Sequence, residues 1–297
     1  MRPLERGYTL IEMLVALVLL GIVSFGIYRV LVGNQRIYHA QVQRVELQQN
    51  IRAAADLLPA EIRELDANDG DLYAMSTTSL DIRAMRQLGF LCSAPVLPVG
   101  AVGTFLVRKD LFFGARDFDV ARDSLLLYYE GDEVTRSDDG WVVARPTLIS
   151  NGVCPGDGRA AWQITATLVF GPGQVNGGGT QRIQNGSPVR GFVPVRYQQY
   201  QSATDSRWYV GYDELTDAAA VQPLIGPLTA NGLTFAYYDS AGAVTANRAL
   251  VQMIEVRLRA ETTEPVHRAG AGGGGGGLFT PVDSVVTRVA LRNNRRW

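Results

Sequence analysis

Glu12 is the only charged side chain between Tyr8 and Tyr28, a stretch otherwise made of apolar and small residues. A carboxylate inside such a span costs several kcal/mol unless a cation or the headgroup layer meets it. Its chemistry is therefore that of an ion-pair partner. On the residues alone two readings stand: a functional carboxylate held by a paired charge, or snorkelling from the start of a helix to the membrane surface. The other reactive side chains are sparse. Cys92 and Cys154 are the only cysteines, too few for a disulfide-framework miniprotein and without the spacing of a zinc ribbon. His39 and His267 are the only histidines. Ser150 or Ser284 can be set beside His267 on paper as a hydrolase pair, but no nucleophile-elbow pattern surrounds either serine. Asp132-Glu133 and Asp138-Asp139 fall in polar, turn-like sequence where solvated charge is expected. Asp66-Ala67-Asn68-Asp69-Gly70-Asp71 has the acid content of a calcium loop, yet its glycine is misplaced and no downstream glutamate fits, so it reads as a solvated acidic turn. Gly171–Gly179 and Gly270–Gly277 lack the phosphate-cradling pattern and read as flexible excursions between strands. No catalytic residues, no metal site and no cofactor are expected from this set.

The elements that must position these residues follow from length and patterning. The chain has 297 residues, 46% hydrophobic and 19% charged, with a net charge of −1. It can build a sizeable core, and it has no basic excess to neutralise phosphates, so no nucleic-acid partner is expected. As a helix, Tyr8 to Tyr28 spans about 30 Å, enough for a bilayer core. The sequence after it, Tyr28-Arg29-Val30-Leu31-Val32-Gly33-Asn34, is a poor secretory cleavage site, so the segment is kept. Helical signals continue from Asn34 to Leu58, with Ile37, Ala40, Leu47, Ile51, Ala54 and Leu58 forming an apolar stripe. Pro59 should kink or end that helix, with Ala60 to Leu65 able to add another turn or two. The rest alternates short β-type runs with turn signals, the pattern of a mostly antiparallel sheet. The runs are Leu80–Arg83, Thr104–Val107, Ser124–Tyr129, Trp141–Ala144, Trp162–Phe170, Val189–Tyr197, Trp208–Tyr212, Leu233–Tyr238, Leu250–Arg259 and Ser284–Arg292. Asn151-Gly152, Asn176-Gly177, Asn185-Gly186 and Asn231-Gly232 read as turns between them.

Gly7-Tyr8-Thr9-Leu10-Ile11-Glu12 followed by the apolar run resembles the type III signal of type IV prepilins. In that family a leader peptidase cuts after the glycine, the new N-terminal residue is methylated, and the glutamate stands fifth in the mature chain. The resemblance implies cleavage between Gly7 and Tyr8, methylation of Tyr8, and an assembly role for Glu12, whose carboxylate would pair with the amine of a neighbouring subunit. The family usually has phenylalanine where this chain has Tyr8. Its mid-span glycine falls on Gly21, and its helix-breaking proline is absent, the position being Arg29. Four head segments, Asp123–Gly131, Gly232–Asp239, Ile254–Arg259 and Val289–Asn294, look like the PilW group of minor pilins and are similar to the J-type pseudopilins of type II secretion.

The resemblance implies an α+β, type IV pilin-like fold: a leader at 1–7, a membrane-spanning and filament-core helix at 8–30, an amphipathic periplasmic helix at 31–65, and a β-rich head at 66–297. It implies a single-pass inner-membrane protein with a periplasmic head that enters a pilus or pseudopilus. Its partners would be prepilin peptidase, other minor pilins, the major pilin and a tip adhesin. Three roles are carried forward: a PilW-like minor pilin that primes or caps a pilus, a J-type pseudopilin, and a membrane-tethered surface-binding module using Trp141, Trp162, Tyr197, Tyr200 and Trp208, although the strand spacing of most of these aromatics suits a core. With the head outside the cytoplasm, Cys92 and Cys154 would form a disulfide, two unpaired thiols being the alternative.

Overall fold

A computed structural model describes residues 9–96, 102–131, 139–171, 183–216, 220–267 and 277–292. The first element, α1 (Leu10–Arg63), is a single helix of 54 residues, about 80 Å long at the α-helical rise. Its two halves face different surroundings. Every large apolar side chain from Leu10 to Leu31 is exposed. Further on, Gln43, Leu47, Ile51, Ala54, Leu58, Pro59 and Ile62 are buried at spacings that line one helix face. Ile37, read into that stripe from sequence, is 59% exposed, because the sheet reaches down the helix only to Gln43. Pro59 does not end α1, which continues to Arg63. Leu58 and Ile62, both 0% exposed, hold the last turn against the sheet despite the lost backbone donor. The Arg292 N–H donates to the Arg63 carbonyl at 2.9 Å, satisfying one of the acceptors a helix end leaves open.

The strands are β1 (Leu72–Met75), β2 (Ser79–Val96), β3 (Val102–Arg108), β4 (Phe113–Gly114), β5 (Ser124–Tyr129), β6 (Gly140–Val153), β7 (Ala160–Val169), β8 (Pro188–Gln201), β9 (Trp208–Glu214), β10 (Gln222–Tyr238), β11 (Met253–Glu261), β12 (Val266–His267), β13 (Leu278–Phe279) and β14 (Val282–Ala290). Their pairings are antiparallel, and all but the small β12–β13 pair belong to one connected sheet. That sheet divides into two bodies which share β2 and β8 as a spine. The platform runs β1-β2-β8-β9-β10-β11-β14. It packs Leu80, Ile82, Val195, Phe235, Ile254, Val256 and Val289 against the buried stripe of α1. The second body is a closed ring: β2 pairs β3, β3 pairs β7, β7 pairs β6, β6 pairs β5, β5 pairs β8, and β8 returns to β2. This six-stranded barrel has its own core, with Phe105, Val107, Leu125, Leu127, Val142, Ile164 and Val189 buried inside. It begins at the C-terminal end of α1, where Arg86 donates to both carboxylate oxygens of Glu61 at 2.8 and 3.0 Å.

Two sequence-based turns lie within strands. Asn151 and Gly152 pair with Trp162 and Ala161 inside the β6–β7 hairpin. The reversal falls instead at Cys154–Arg159, where Gly156 and Gly158 have φ of +98° and +69° and the Cys154 N–H donates to Arg159 at 2.8 Å. Asn231 and Gly232 form a bulge in β10, where the register slips between Leu228↔Ala260 and Leu233↔Leu258. Asn231 has φ +57°, and a Cβ on Gly232 would strike the carbonyls of Arg259 and Thr229, so the pair serves close approach and a kink. Asn185-Gly186 is a turn, with Gly186 at φ +89°. Asn176-Gly177 lies outside the described residues, as do 172–179 and 270–276 of the two glycine-rich stretches.

Candidate functional site

Gly7 and Tyr8 lie outside the described residues, so the geometry of this site begins at Thr9. Thr9 is the N-cap of α1 and forms a capping box with Glu12. Glu12 N–H donates to the Thr9 hydroxyl at 3.3 Å, and Thr9 N–H donates to the Glu12 carboxylate at 3.0 Å. The spacing Thr-x-x-Glu before an apolar run is the sequence signal for this arrangement, which the charge argument alone passed over. Within one chain, then, the Glu12 carboxylate folds back onto the N-cap, accepting from the Thr9 N–H and hydroxyl at the positive end of the helix dipole. The site that follows is a surface. The helix is long and apolar enough to cross a membrane, and none of its most apolar window is buried inside the protein.

A polar collar marks where the bare helix enters the head. His39 Nε2 lies 2.8 Å from the Glu264 carboxylate. Buried Gln43 accepts from the Glu264 N–H at 2.9 Å, and Asn50 donates to the Gly226 carbonyl at 2.9 Å. Through Glu264 the segment after β11 is strapped to the flank of α1, while Asn50 holds β10. Sequence reading missed the strap because its partners lie more than two hundred residues apart.

The remaining singled-out residues are scattered through the head. Cys92 in β2 and Cys154 at the β6–β7 turn are joined as a disulfide across 62 residues, with Cα atoms 5.6 Å apart. The acidic turn is not solvated as expected. Asp66 and Asp71 are 5% and 2% exposed. Asp66 accepts from the N–H groups of Asn68 and Asp69, Asp71 accepts from Asp66 N–H, and Arg83 reaches the Asp69 carbonyl at 2.8 Å and Asp71 at 3.4 Å. Burial, reinforced by neighbouring Asp69, pushes the Asp66 carboxyl up to about 6, and burial raises Asp71 as well. Among the described residues no group of three or more His, Cys, Asp or Glu side chains is arranged to hold a metal. Asp139 accepts from Tyr128 OH and Gly131 N–H at 3.0 and 3.1 Å, so it ties strand ends together instead of standing in solvent; Asp132, Glu133 and Asp138 lie outside the described residues. Ser150 sits in β6, Ser284 in β14 and His267 in β12, and no described hydrogen bond joins the histidine to either serine. The five aromatics are all buried or half-buried. Trp162 stacks edge-on with Phe112 and Phe118 in the barrel core, and Trp208 packs against the platform core.

A single apolar N-terminal helix, half of it bare, laid on a mostly antiparallel sheet is a pilin-like α+β arrangement. The profile of the Prokaryotic N-terminal methylation motif matches residues 2–28, the segment that holds Gly7, Tyr8 and Glu12. No curated protein and no solved structure is significantly similar to the chain. The motif and the exposed apolar helix together support a membrane-anchored, type IV pilin-like protein.

Proposed function

We propose that the chain is a PilW-like minor pilin which primes or caps a type IV pilus. Prepilin peptidase cleaves between Gly7 and Tyr8, Tyr8 is methylated, and residues 8–30 hold the protein in the inner membrane with the head from 66 onward in the periplasm. The observation that carries this reading is the bare helical face from Leu10 to Leu31 directly behind the methylation motif. A helix apolar all round and unburied in its own chain must be covered by lipid or by other helices. Assembly is then a transfer of that surface from lipid to neighbouring helices, with Glu12 exchanging its own helix cap for a neighbour's terminal amine. An unpaired carboxylate in that environment is heavily penalised, so the exchange sets axial register.

The barrel supports a terminal position. It starts at Arg86, against Glu61 near the end of α1, and therefore extends the head away from the membrane. In a stack of subunits it would occupy the space of the next head, which suits a subunit with nothing identical above it. The disulfide fits an oxidising compartment. The partners in this reading are other minor pilins, the major pilin and a tip adhesin. The N-terminal mass of the protein from cells with and without prepilin peptidase tests it. A chain that starts at methylated Tyr8 only when the enzyme is present supports the reading, and a chain starting at Met1 in both overturns it. A deletion strain that loses exoprotein release and keeps twitching would assign the same architecture to a J-type pseudopilin.

A further inference from the structure

The lowest part of the head lies beside the bare half of α1. β12 and β13 pair as Val266↔Phe279 and His267↔Leu278, and they prolong the β11–β14 ladder, whose last rung is Glu261↔Val282. Between the two pairs the Thr262 N–H donates to the Pro281 carbonyl at 3.0 Å. The β14 side therefore runs on in line into β13, while the β11 side takes up two extra residues as a bulge before β12. β14 itself runs alongside α1 in the same direction, since Arg292 bonds to Arg63 at one end and Glu264 bonds to Gln43 near the other. Followed back from Arg292, the strand descends along α1 toward its exposed apolar half.

Two measures set how far it descends. From Arg292, level with Arg63, back to Leu278 is a reach of about 46 Å for a fully extended strand. From Arg63 to Leu31, where the exposed apolar run ends, is about 48 Å of helix. Starting instead from Glu264, 2.8 Å from His39, the chain adds about 10 Å to reach His267, and His39 stands about 12 Å above Leu31. Both measures bring the β12–β13 pair to within a few ångströms of the Leu31 level, and a tilted strand stops about one helical turn, roughly 5 Å, higher. Leu10 to Leu31 is about 33 Å of helix, the thickness of a hydrocarbon core, with a headgroup layer of about 5–8 Å beyond it. The pair thus stands in or on that layer, and there it presents Leu278, 62% exposed, and Phe279, 36% exposed. β12 lies against α1, and Val266, opposite Phe279, is buried, so the pair is held at this height.

We infer that the β12–β13 pair is a second membrane contact, in which Leu278 and Phe279 rest in the lipid headgroup layer beside the helix that anchors the chain. The occupant is lipid because the bilayer that covers Leu10 to Leu31 continues to this height. The contact asks nothing of lipid charge: the side chains offered are apolar, and Glu264, just above them, is met by His39. A single spanning helix leaves a head free to lean and to turn about the helix axis. A contact set to one side of that axis restrains both motions, so the subunit stands in the membrane with its sheet in one orientation. The inference rests on the membrane anchoring of α1 and is independent of the filament role.

The test uses the full chain in vesicles of phosphatidylethanolamine and phosphatidylglycerol that carry a phosphatidylcholine with a diazirine at the glycerol end of one acyl chain. After irradiation, mass analysis should find lipid adducts on Leu278 and Phe279 as well as along α1. Leu278→Asp, at an exposed position, should leave the thermal unfolding of the head unchanged and lower the β12–β13 adducts at least fivefold, with the α1 adducts unaltered. Phe113, 63% exposed in β4, reports adsorption from solution and should stay unlabelled. Adducts on α1 with none on Leu278 or Phe279, labelling undiminished by Leu278→Asp, or equal labelling of Phe113 would overturn the inference and leave the anchoring standing. No adducts on α1 would remove the anchoring and the inference with it.

Discussion

Replacing both Cys92 and Cys154 by serine tests how the head is built. The bond closes a loop of 62 residues, and the chain-entropy argument assigns such a closure about 4 kcal/mol through the unfolded state. The structure also says where the loss must fall. Among the described residues, no side chain between Ala84 and Val193 contributes to the core that α1 shares with the platform, whereas the barrel core is drawn from Leu91 to Val189. The loss should therefore appear in β3, β6 and β7, while β10, β11 and β14 keep their protection. For a head that melts as one unit, about 4 kcal/mol lowers Tm by roughly 8–16 °C. A barrel that melts alone should drop further and show a separate early transition. The assay is thermal unfolding of the full chain in detergent, paired with residue-resolved hydrogen exchange. A fall of less than about 3 °C, or loss of protection in β10–β14 ahead of the barrel, would refute the division into two cores. Mass analysis of the unreduced wild type showing two free thiols would remove its premise.

Three other perturbations are expected to separate. Glu12→Gln retains a capping-box partner for Thr9 without the charge, so it should be processed normally and fail to enter filaments as completely as Glu12→Ala; immunoblots of sheared filaments read this, and normal incorporation of the glutamine variant would mean that the cap alone matters. Leu58→Ala, at a position 0% exposed, should cost about 2–5 kcal/mol in urea unfolding, and Leu17→Ala, at 67% exposed, should leave the head transition unmoved. Asp66 has a raised native pKa, about 6 against 3.8, so the folded state binds more protons between these values and stability rises as pH falls through that window. The carboxylates held low by arginines, such as Glu214 and Glu255, act in the opposite sense but only below the ordinary carboxylate range. Asp66→Asn keeps an oxygen for the Asn68 and Asp69 N–H groups; it should flatten the rise in urea midpoint between pH 7.5 and 5, and an unchanged slope would count against burial as its cause.

What the sequence made legible follows a physical rule. A segment whose side chains face one environment throughout announces itself by period. Leu47, Ile51, Ala54 and Leu58 are legible as one helix face because they meet a single core, and Ser124–Tyr129 matches β5 to the residue as a short apolar run between turn signals, buried on both faces. The N-terminal signal was readable because it is local. β2 was read only as Leu80–Arg83, yet it runs from Ser79 to Val96. Its buried apolar residues are Leu80, Ile82 and Ala84, then Leu91, a change of parity. Between them the pairing with β8 slips at Met85/Gln87, and a one-residue slip sends alternate side chains to the other face. Before the slip the even positions meet α1; after it the odd positions meet the barrel. No single period describes such a strand, so pattern reading truncates it where the first core ends. The ring closure was hidden with it, since β8 and β3 both pair with β2. The irregularity that conceals β2 from periodicity turns its alternate side chains from one core to the other, whereas β8 serves both without a change of parity, Val189 lying in the barrel core and Val193, Val195 and Tyr197 in the platform core. The two strands together join the barrel to the sheet that packs on α1.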